Sequence, residues 1–90
     1  MLKVRYSAKF KKDFKLIQKQ GNDIKLLQEV IELLCTGHHL SPKNKDHVLS
    51  GDYAGHRECH ITPDWLLIYK IERNILTLSL TRTGSHSDLF

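Results

Sequence analysis

Residues 65–71 constrain the fold most strongly, because this segment is apolar on both faces apart from Lys70. A strand with two apolar faces must be covered on both sides, which is typical of the centre of a sheet. Pro63 lies just before the segment and cannot donate to a strand ladder, so the preceding strand must end there. A chain of 90 residues is too short for a second core, and we therefore expect a single domain spanning residues 1–90.

Alternating apolar and polar residues predict further short strands on both sides of this segment. These strands lie at residues 2–6, 56–62 and 75–81, while residues 47–51 are expected to form a short strand or a strand-like turn. In the strand at residues 75–81, we expect Leu76, Leu78 and Leu80 to face the core. After a glycine break, residues 85–90 are predicted to form a short final strand or a tail.

Two helices are predicted between the first two strands. Residues 8–20 place Phe10, Phe14 and Ile17 on one helical face. A second helix, ending near residue 36, has an apolar arc so broad that it must be buried on more than one side. The order is β-α-α-β-β-β, an α+β fold. We expect an antiparallel sheet of about four to five strands, mixed at one edge, with the N-terminal helical hairpin on one face.

The charge balance points to an anionic partner. Lysine and arginine number 14 against 10 acidic residues, giving a net charge of +4. That excess favours nucleic acid first and an acidic protein second, with a solvated basic surface as the alternative. Half of the cationic residues precede Gly21, opposed only by Asp13. Within the first helix, Lys11, Lys15 and Lys19 are candidates for contacting RNA.

The two cysteines and the lengths of the apolar segments indicate the cellular compartment. Cys35 and Cys59 have no CxxC or zinc-finger spacing and are expected to pack as small apolar residues. No apolar run approaches the roughly 20 residues of a membrane-spanning helix, and no secretory signal follows Met1. We therefore expect a soluble protein of the reducing cytoplasm, with no membrane partner.

Three histidines, His47, His60 and His86, stand at the ends of predicted elements, where neighbouring strands can bring them together. Histidine has an ordinary pKa of about 6.5, so it can both take and give a proton near neutrality. RNA cleavage needs a base for the 2′-hydroxyl, an acid for the departing 5′-oxygen and a cation for the crowded phosphate. Histidines, Asp64 and an arginine supply all three without a metal or cofactor.

Each of these residues also has a structural interpretation. A single histidine is more often structural than catalytic, Asp64 can cap the turn that Pro63 begins, and Phe90 can either enter the core or stay exposed to stack on a base. Three histidines can also hold zinc, but no pair has the spacing typical of such sites, so we expect no metal. From spacing alone, the catalytic and structural interpretations both remain open.

Three blocks of the sequence together resemble the YafQ family of toxins, within the RelE/ParE superfamily. The blocks are Lys45-Asp46-His47-x-Leu49-x-Gly51, then Arg57-Glu58-Cys59-His60-Ile61-x-Pro63-Asp64-Trp65-Leu66-Leu67-Ile68-Tyr69, then Leu80-x-Arg82-x-Gly84-Ser85-His86-Ser87-x-Leu89-Phe90. The likeness covers the whole chain, with the blocks in order and at the expected separations. It implies a microbial-RNase-like, RelE-like fold and a ribosome-dependent endonuclease that cuts mRNA in the ribosomal A site.

The resemblance also implies a role for each matching residue. His86 is expected as the general acid, His60 and Asp64 as a base and the group that orients it or shares its proton, and His47 as an aid to proton transfer or substrate positioning. Substrate-binding roles are expected for four residues: Phe90 stacking on a base, Arg82 neutralising phosphate charge, and Lys45 and Arg57 in the matching blocks. Ribosomal RNA is the expected contact of the three helix lysines.

The partner implied by the resemblance is an antitoxin with a ribbon-helix-helix DNA-binding half and a tail that wraps the toxin. Operator DNA is then expected to be bound only by the toxin–antitoxin complex. Two alternatives remain: a non-catalytic module that binds an antitoxin and nucleic acid, and a ParE-like gyrase inhibitor. The histidines and Asp64 argue against the second alternative, because gyrase inhibition needs no proton-transfer residues.

Overall fold

The computed structural model describes all of residues 1–90 and contains one five-stranded sheet. The elements in chain order are β1 (Lys3–Tyr6), α1 (Ala8–Lys19), α2 (Ile24–Cys35), β2 (His47–Val48), β3 (Arg57–Thr62), β4 (Trp65–Glu72), β5 (Thr77–Gly84) and α3 (His86–Leu89). The strand order is β1-β5-β4-β3-β2, with β1 parallel to β5 and every other pair antiparallel. The predicted α+β class, helical hairpin and mixed edge are confirmed.

Local side-chain bonds fix where the two long helices begin. The hydroxyl of Ser7 accepts a hydrogen bond from the backbone N–H of Phe10 at 2.9 Å, and the carboxylate of Asp23 accepts one from that of Lys25 at 3.1 Å. Each bond satisfies a donor that the first turn of a helix leaves without a partner. Gly21 adopts a φ of 81° between the helices, a conformation that glycine tolerates without strain. None of the helices has the length and apolar character that crossing a bilayer requires.

Strand β4 lies between two cores, as its apolar sequence predicts. Trp65, Leu67 and Tyr69 face α1 and α2, within the larger apolar cluster. Leu66 and Ile68 point to the other face, where Leu89 of α3 and the half-buried Leu49 and Tyr53 cover them. All five β4 side chains are at most 3% exposed. The smaller cluster therefore ties the C-terminal α3 to the centre of the sheet.

Two expectations about the later part of the chain are wrong. Leu76 does not face the core: it occupies the turn between β4 and β5 with a φ of 50° and is 62% exposed. Residues after Gly84 do not form a strand but the short helix α3, because the Ser85 hydroxyl accepts a hydrogen bond from the backbone N–H of Asp88 at 3.2 Å. The strand expected at residues 47–51 is also shorter, since β2 contains only His47 and Val48.

An irregularity in β5 changes which residues face which side. Tyr69 pairs with Leu80 but Ile68 pairs with Arg82, so Thr81 is an extra residue on β5. Such a bulge shifts the alternation of side chains. Leu80 consequently packs under the helices, whereas Arg82 lies beside Ile68 on the opposite face. Simple alternation along residues 75–81, extended by one step, would have placed Arg82 under the helices.

Strand β5 also continues beyond its parallel neighbour, because β1 pairs with it only as far as Leu80. Helix α1 covers the edge that β1 leaves open. The hydroxyl of Ser7 donates to the carbonyl of Thr81 at 2.7 Å, and the backbone N–H of Thr83 donates to the carboxylate of Asp13 at 3.2 Å. Side chains of α1 thus replace a missing strand.

The buried thiol of Cys59 gives a prediction about alkaline stability. Burial raises its pKa from 9.0 to about 12, with smaller contributions from Asp46 and Glu58. Above its ordinary pKa, the unfolded chain releases this proton while the folded chain keeps it, so stability must fall as pH rises. We expect this thiol to contribute a slope of about 1.4 kcal/mol per pH unit above pH ~9.

Urea unfolding between pH 8 and pH 10.5 measures that slope, and Cys59→Ala is the comparison because alanine does not titrate. The variant should be less stable at every pH but should lose stability more slowly as pH rises. Equal slopes for the two proteins would show that the thiol proton is not held by the fold.

Candidate active site

The face of the sheet opposite α1 and α2 collects most of the predicted site residues. Directly paired residues lie on the same face of a sheet. Two neighbouring rows cross this face, namely His47, Glu58, Ile68 and Arg82 in one row and His60, Leu66 and Gly84 in the next. Histidines distant in sequence are therefore brought together by strand pairing, with the arginine at the far end of the row.

His47 is held at both of its ring nitrogens. Nδ1 lies 2.7 Å from the carbonyl oxygen of Lys45, which can only accept, so Nδ1 carries a hydrogen. Nε2 lies 3.5 Å from the Oε1 atom of Glu58. Glu58 is only 6% exposed, and its Oε2 atom has no hydrogen-bond partner. The contact between Nε2 and the carboxylate is attractive only when a proton lies between them.

The loop before β2 is tied to the sheet by its own side chains. The amide of Asn44 donates to the carbonyl of His60 at 2.7 Å. The carboxylate of Asp46 accepts from the hydroxyl of Tyr69 at 2.6 Å and from the guanidinium of Arg57 at 3.2 Å. Burial and then the bond to Asp46 raise the pKa of Tyr69 above its ordinary value. These bonds fix the loop immediately before His47.

Arg57 and Lys45, both predicted to bind substrate, have different surroundings. The hydrogen bonds to Asp46 raise the pKa of Arg57, whose side chain remains 40% exposed. Lys45 is exposed, and its backbone adopts the left-handed conformation with a φ of 48°. That turn directs the Lys45 carbonyl towards the His47 ring. Arg57 is thus already paired, whereas the Lys45 ammonium is available to a phosphate.

His60 and Asp64, which the resemblance makes a base and its orienting group, are not joined by a hydrogen bond or an ion pair. Nδ1 of His60 lies 3.3 Å from the carbonyl oxygen of Pro63, and no ion pair joins the ring to Asp64. Asp64 instead lines a polar cavity of about 410 Å³, whose other walls come from the ends of α1 and α3. The turn between β3 and β4 uses a backbone carbonyl to orient the imidazole, so the carboxylate is left to face the cavity.

Helix α3 carries His86 and Phe90 at the border of this face. Their ring centroids are 5.2 Å apart and tilted by 36°. The Phe90 ring meets Tyr53 edge to face at 6.0 Å and is still 57% exposed. Leu89, only 8% exposed, anchors the helix in the smaller core. Phe90 therefore stays outside the core, with one neighbour on each side and a surface open to solvent.

Arg82 is not a free cation. Its Nε and Nη2 atoms donate to the two carboxylate oxygens of Asp13 at 2.7 and 3.1 Å. These bonds are the main reason that the pKa of Arg82 is raised; burial opposes the effect and the Tyr53 hydroxyl adds to it. The third nitrogen, Nη1, makes no hydrogen bond of its own, although the Tyr53 hydroxyl lies close to the guanidinium. A side chain of α1 thus reaches the candidate site through the open edge of β5.

The helix lysines lie elsewhere. Lys11, Lys15 and Lys19 are exposed on α1, and the first two line a cleft between α1 and α2 whose floor is apolar. They belong to the helical layer and not to the sheet face that carries the histidines. The ribosomal contact predicted for them is therefore separate from the candidate active site.

Four residues at or behind the site have no role in the sequence-based prediction: Asp13, Asp46, Tyr53 and Glu58. A signal for Glu58 was present, because it lies two residues before His60 and strand alternation puts both on one face. The other three act from a helix or from loops, where no period links them to the histidines. No group of three or more histidine, cysteine or acidic side chains is arranged to hold a metal ion.

Known bacterial toxins share the sequence and the fold of this chain. Residues 2–90 match the family described as the bacterial toxin of type II toxin-antitoxin systems, YafQ. The chain is 40% identical over 88 residues to the mRNA interferase toxin YafQ of Escherichia coli K12, covering 97% of this chain and 94% of that protein.

Two solved structures extend the likeness to three dimensions. A metal-bound toxin from Helicobacter pylori is 50% identical and superimposes with a TM-score of 0.94, covering 100% of both chains. The Escherichia coli DinJ–YafQ complex contains a chain that is 38% identical, with a TM-score of 0.90 and coverage of 100% of this chain and 99% of that one. The chain therefore belongs to the YafQ family of bacterial type II toxin–antitoxin toxins.

Proposed function

We propose that this protein is an endoribonuclease toxin that cuts mRNA in the A site of the translating ribosome. The observation that carries the proposal is the convergence of His47, Glu58, His60 and Arg82 on one sheet face, bordered by the α3 helix. Relatives named mRNA interferase toxins support the substrate. The proposed site of action is the cytoplasm, where the ribosomes are.

The hydrogen bonds of the histidines support distinct roles in proton transfer. The Pro63 carbonyl holds a proton on Nδ1 of His60, which leaves the lone pair of Nε2 free in the neutral ring. His60 is then the base that removes the proton from the 2′-hydroxyl. The exposed His86 is the acid that gives its proton to the departing 5′-oxygen.

The reaction balances with these two residues. The 2′-oxygen forms a bond to phosphorus as its proton passes to His60, and the bond from phosphorus to the 5′-oxygen breaks as His86 supplies a proton. The products are a 2′,3′-cyclic phosphate and a 5′-hydroxyl end. Asp64, from its polar cavity, is proposed to receive the proton from His60 through solvent or to orient the RNA by accepting hydrogen bonds. We assign no electrophilic role to a cofactor.

The residues at the two ends of the row that runs from His47 to Arg82 are proposed to stabilise negative charge on the phosphate. Arg82 offers Nη1 to the phosphate while Asp13 holds its other nitrogens. His47 is proposed to carry a proton on Nε2 that lies towards Glu58 in the free protein and that a phosphate oxygen or the leaving group accepts instead when RNA binds. Donors that are fixed before the reaction are worth more than mobile ones, because they need not reorganise as charge develops. Lys45, exposed beside His47, adds a second cation.

Phe90 is proposed to stack on an mRNA base, since its ring is 57% exposed and braced by Tyr53 and His86. Stacking on an aromatic ring is worth about 1–3 kcal/mol per base. The ribosome is proposed to supply the remaining alignment, so naked RNA should be cut weakly. Lys11, Lys15 and Lys19 are the proposed contacts with ribosomal RNA.

An antitoxin is the proposed protein partner. DinJ is present with YafQ in two of the similar structures. For this chain, we propose an antitoxin with a ribbon-helix-helix half that binds operator DNA only as part of the complex. The net charge of +4 supports an acidic segment in the part that contacts the toxin.

The proposed acid gives the first prediction. His86→Ala should lower cleavage by about 10²- to 10⁴-fold, because the 5′-oxygen must then leave without a positioned proton. Primer extension on mRNA from translating ribosomes measures the cuts, and His38→Ala is the control because His38 is exposed at the end of α2. Full cleavage by His86→Ala would overturn the assignment. Intact mRNA with the wild type would reject the nuclease, and a DNA supercoiling assay would then test gyrase inhibition.

The proton shared by His47 and Glu58 gives a second prediction. Glu58→Gln keeps the shape but removes the negative charge, so we expect cleavage to fall on the order of 10- to 100-fold, as for other residues that orient an active imidazole. The ¹⁵N shifts of His47 should change at Nε2 and stay unchanged at Nδ1. Glu72→Gln is the control, because it makes the same change of charge at the C-terminal end of β4. Unchanged His47 shifts in Glu58→Gln would contradict the shared proton.

A further inference from the structure

Asp13 is the one acidic residue of α1, and β5 satisfies its carboxylate completely. One oxygen accepts from Arg82 Nε at 2.7 Å and from the backbone N–H of Thr83 at 3.2 Å, while the other accepts from Arg82 Nη2 at 3.1 Å. The Asp13 side chain is only 12% exposed and that of Arg82 only 19%. A bidentate pair between charged groups is shorter and stronger than a hydrogen bond between neutral ones.

The position of this pair links α1 to the catalytic face. Arg82 follows the bulge at Thr81, and β1 no longer covers the strand there. Thr83, next to it, is 1% exposed; its hydroxyl donates to the carbonyl of Leu66 at 2.8 Å and accepts from the indole of Trp65 at 2.9 Å. Asp13 thus holds the backbone of β5 at the last point before the strand turns into α3.

We propose that Asp13 is a positioning residue for RNA cleavage, which acts by fixing the Arg82 guanidinium so that Nη1 meets the scissile phosphate. This inference rests on the proposed nuclease function. Arginine has a long side chain that loses rotamer entropy when it is held. Because Asp13 already holds the arginine in the free protein, this entropy is lost before RNA binds. Without the carboxylate, the guanidinium is mobile and its charge is no longer held where negative charge develops on the phosphate.

The opposing view is that Asp13 merely fastens α1 to the edge of β5. Ser7 separates the two possibilities, because its hydroxyl bonds the carbonyl of Thr81 at 2.7 Å on the same edge without touching Arg82. Ser7 also caps α1, so Ser7→Ala loosens the same helix at two points. Ser7→Ala therefore loses hydrogen bonds at the β5 edge alone. A substitution of Asp13 loses an edge bond and also the bonds that orient Arg82.

The test measures single-turnover cleavage by the full-length protein on programmed ribosomes, over a range of toxin concentrations. We expect Asp13→Asn to lower the maximal rate on the order of 10- to 100-fold, since displacements of about 1 Å at a reacting group have effects of this size. The concentration for half-maximal rate should change less than threefold. Ser7→Ala should lower the thermal midpoint by several degrees yet keep the maximal rate within threefold of wild type at a temperature where both are folded.

Equal losses of maximal rate in Asp13→Asn and Ser7→Ala, or wild-type cleavage by Asp13→Asn, would overturn the proposal. If Asp13→Asn does not fold, Asp13→Glu decides, because it keeps the charge but cannot keep both arginine bonds and the Thr83 bond with a longer side chain. Its maximal rate should fall at least fivefold, and a wild-type rate would reject the proposal. The Arg82 Nε–H proton should give a protected NMR signal in the wild type that is lost in Asp13→Asn.

The failure of this proposal can be distinguished from failure of the nuclease itself. If the wild type leaves mRNA intact on the ribosome, the proposed function is wrong and Asp13 has no reaction to serve. If the wild type cuts and the Asp13 variants cut equally well with a disordered Arg82 signal, the nuclease stands and only the positioning role is rejected.

Discussion

Strand β5 continues past the end of β1, so its edge after Leu80 needs hydrogen-bond partners that no strand supplies. Ser7 and Asp13 of α1 provide them, at Thr81 and Thr83. An unpaired buried backbone group would cost about 1–3 kcal/mol, so the position of α1 is set by this edge as well as by its apolar stripe. The same edge leads into α3, and the orientation of the last ten residues therefore depends on a helix near the start of the chain.

The bulge at Thr81 gives this edge its functional consequence. Without the extra residue, Arg82 would point into the core under the helices, where an unpaired guanidinium is not tolerated. With the extra residue, the Arg82 side chain lies in the row that begins at His47, and its guanidinium contacts Asp13. One irregular residue thus places a cation at the far end of the histidine-bearing face and gives it a fixed counter-ion.

Backbone carbonyls likewise orient two of the histidines. Lys45 and Pro63 each direct a carbonyl at the Nδ1 atom of an imidazole, His47 in the first case and His60 in the second. The difference lies at Nε2, because Glu58 faces the first ring and no carboxylate pairs with the second. Two chemically identical side chains therefore have different surroundings, which is why we propose different tasks for them.

The sequence was informative where periodicity or motif determines structure. The doubly apolar segment at residues 65–71 predicted the central strand, and the three sequence blocks predicted the family and the mixed α+β fold. Periodicity could not reveal the bulge, because a single extra residue leaves the composition unchanged, and so Arg82 could not be assigned a face. The resemblance gave His60 and Asp64 complementary roles, but nothing in the sequence shows that the Pro63 carbonyl, and not the Asp64 carboxylate, lies beside the His60 ring. Asp13 looked like one acid among lysines, since its partner lies 69 positions away.

The central claim is that one sheet face, with α3 at its border, holds the scissile phosphate. Its most direct test is an electron cryomicroscopy structure of the protein on a ribosome whose A-site mRNA carries a 2′-O-methyl group at the cleavage position. The account predicts His60 beside the blocked 2′-oxygen, His86 beside the 5′-oxygen, Phe90 stacked on a base, and Arg82 touching the phosphate while still bonded to Asp13. An mRNA backbone lying along the helical layer, away from these side chains, would contradict it.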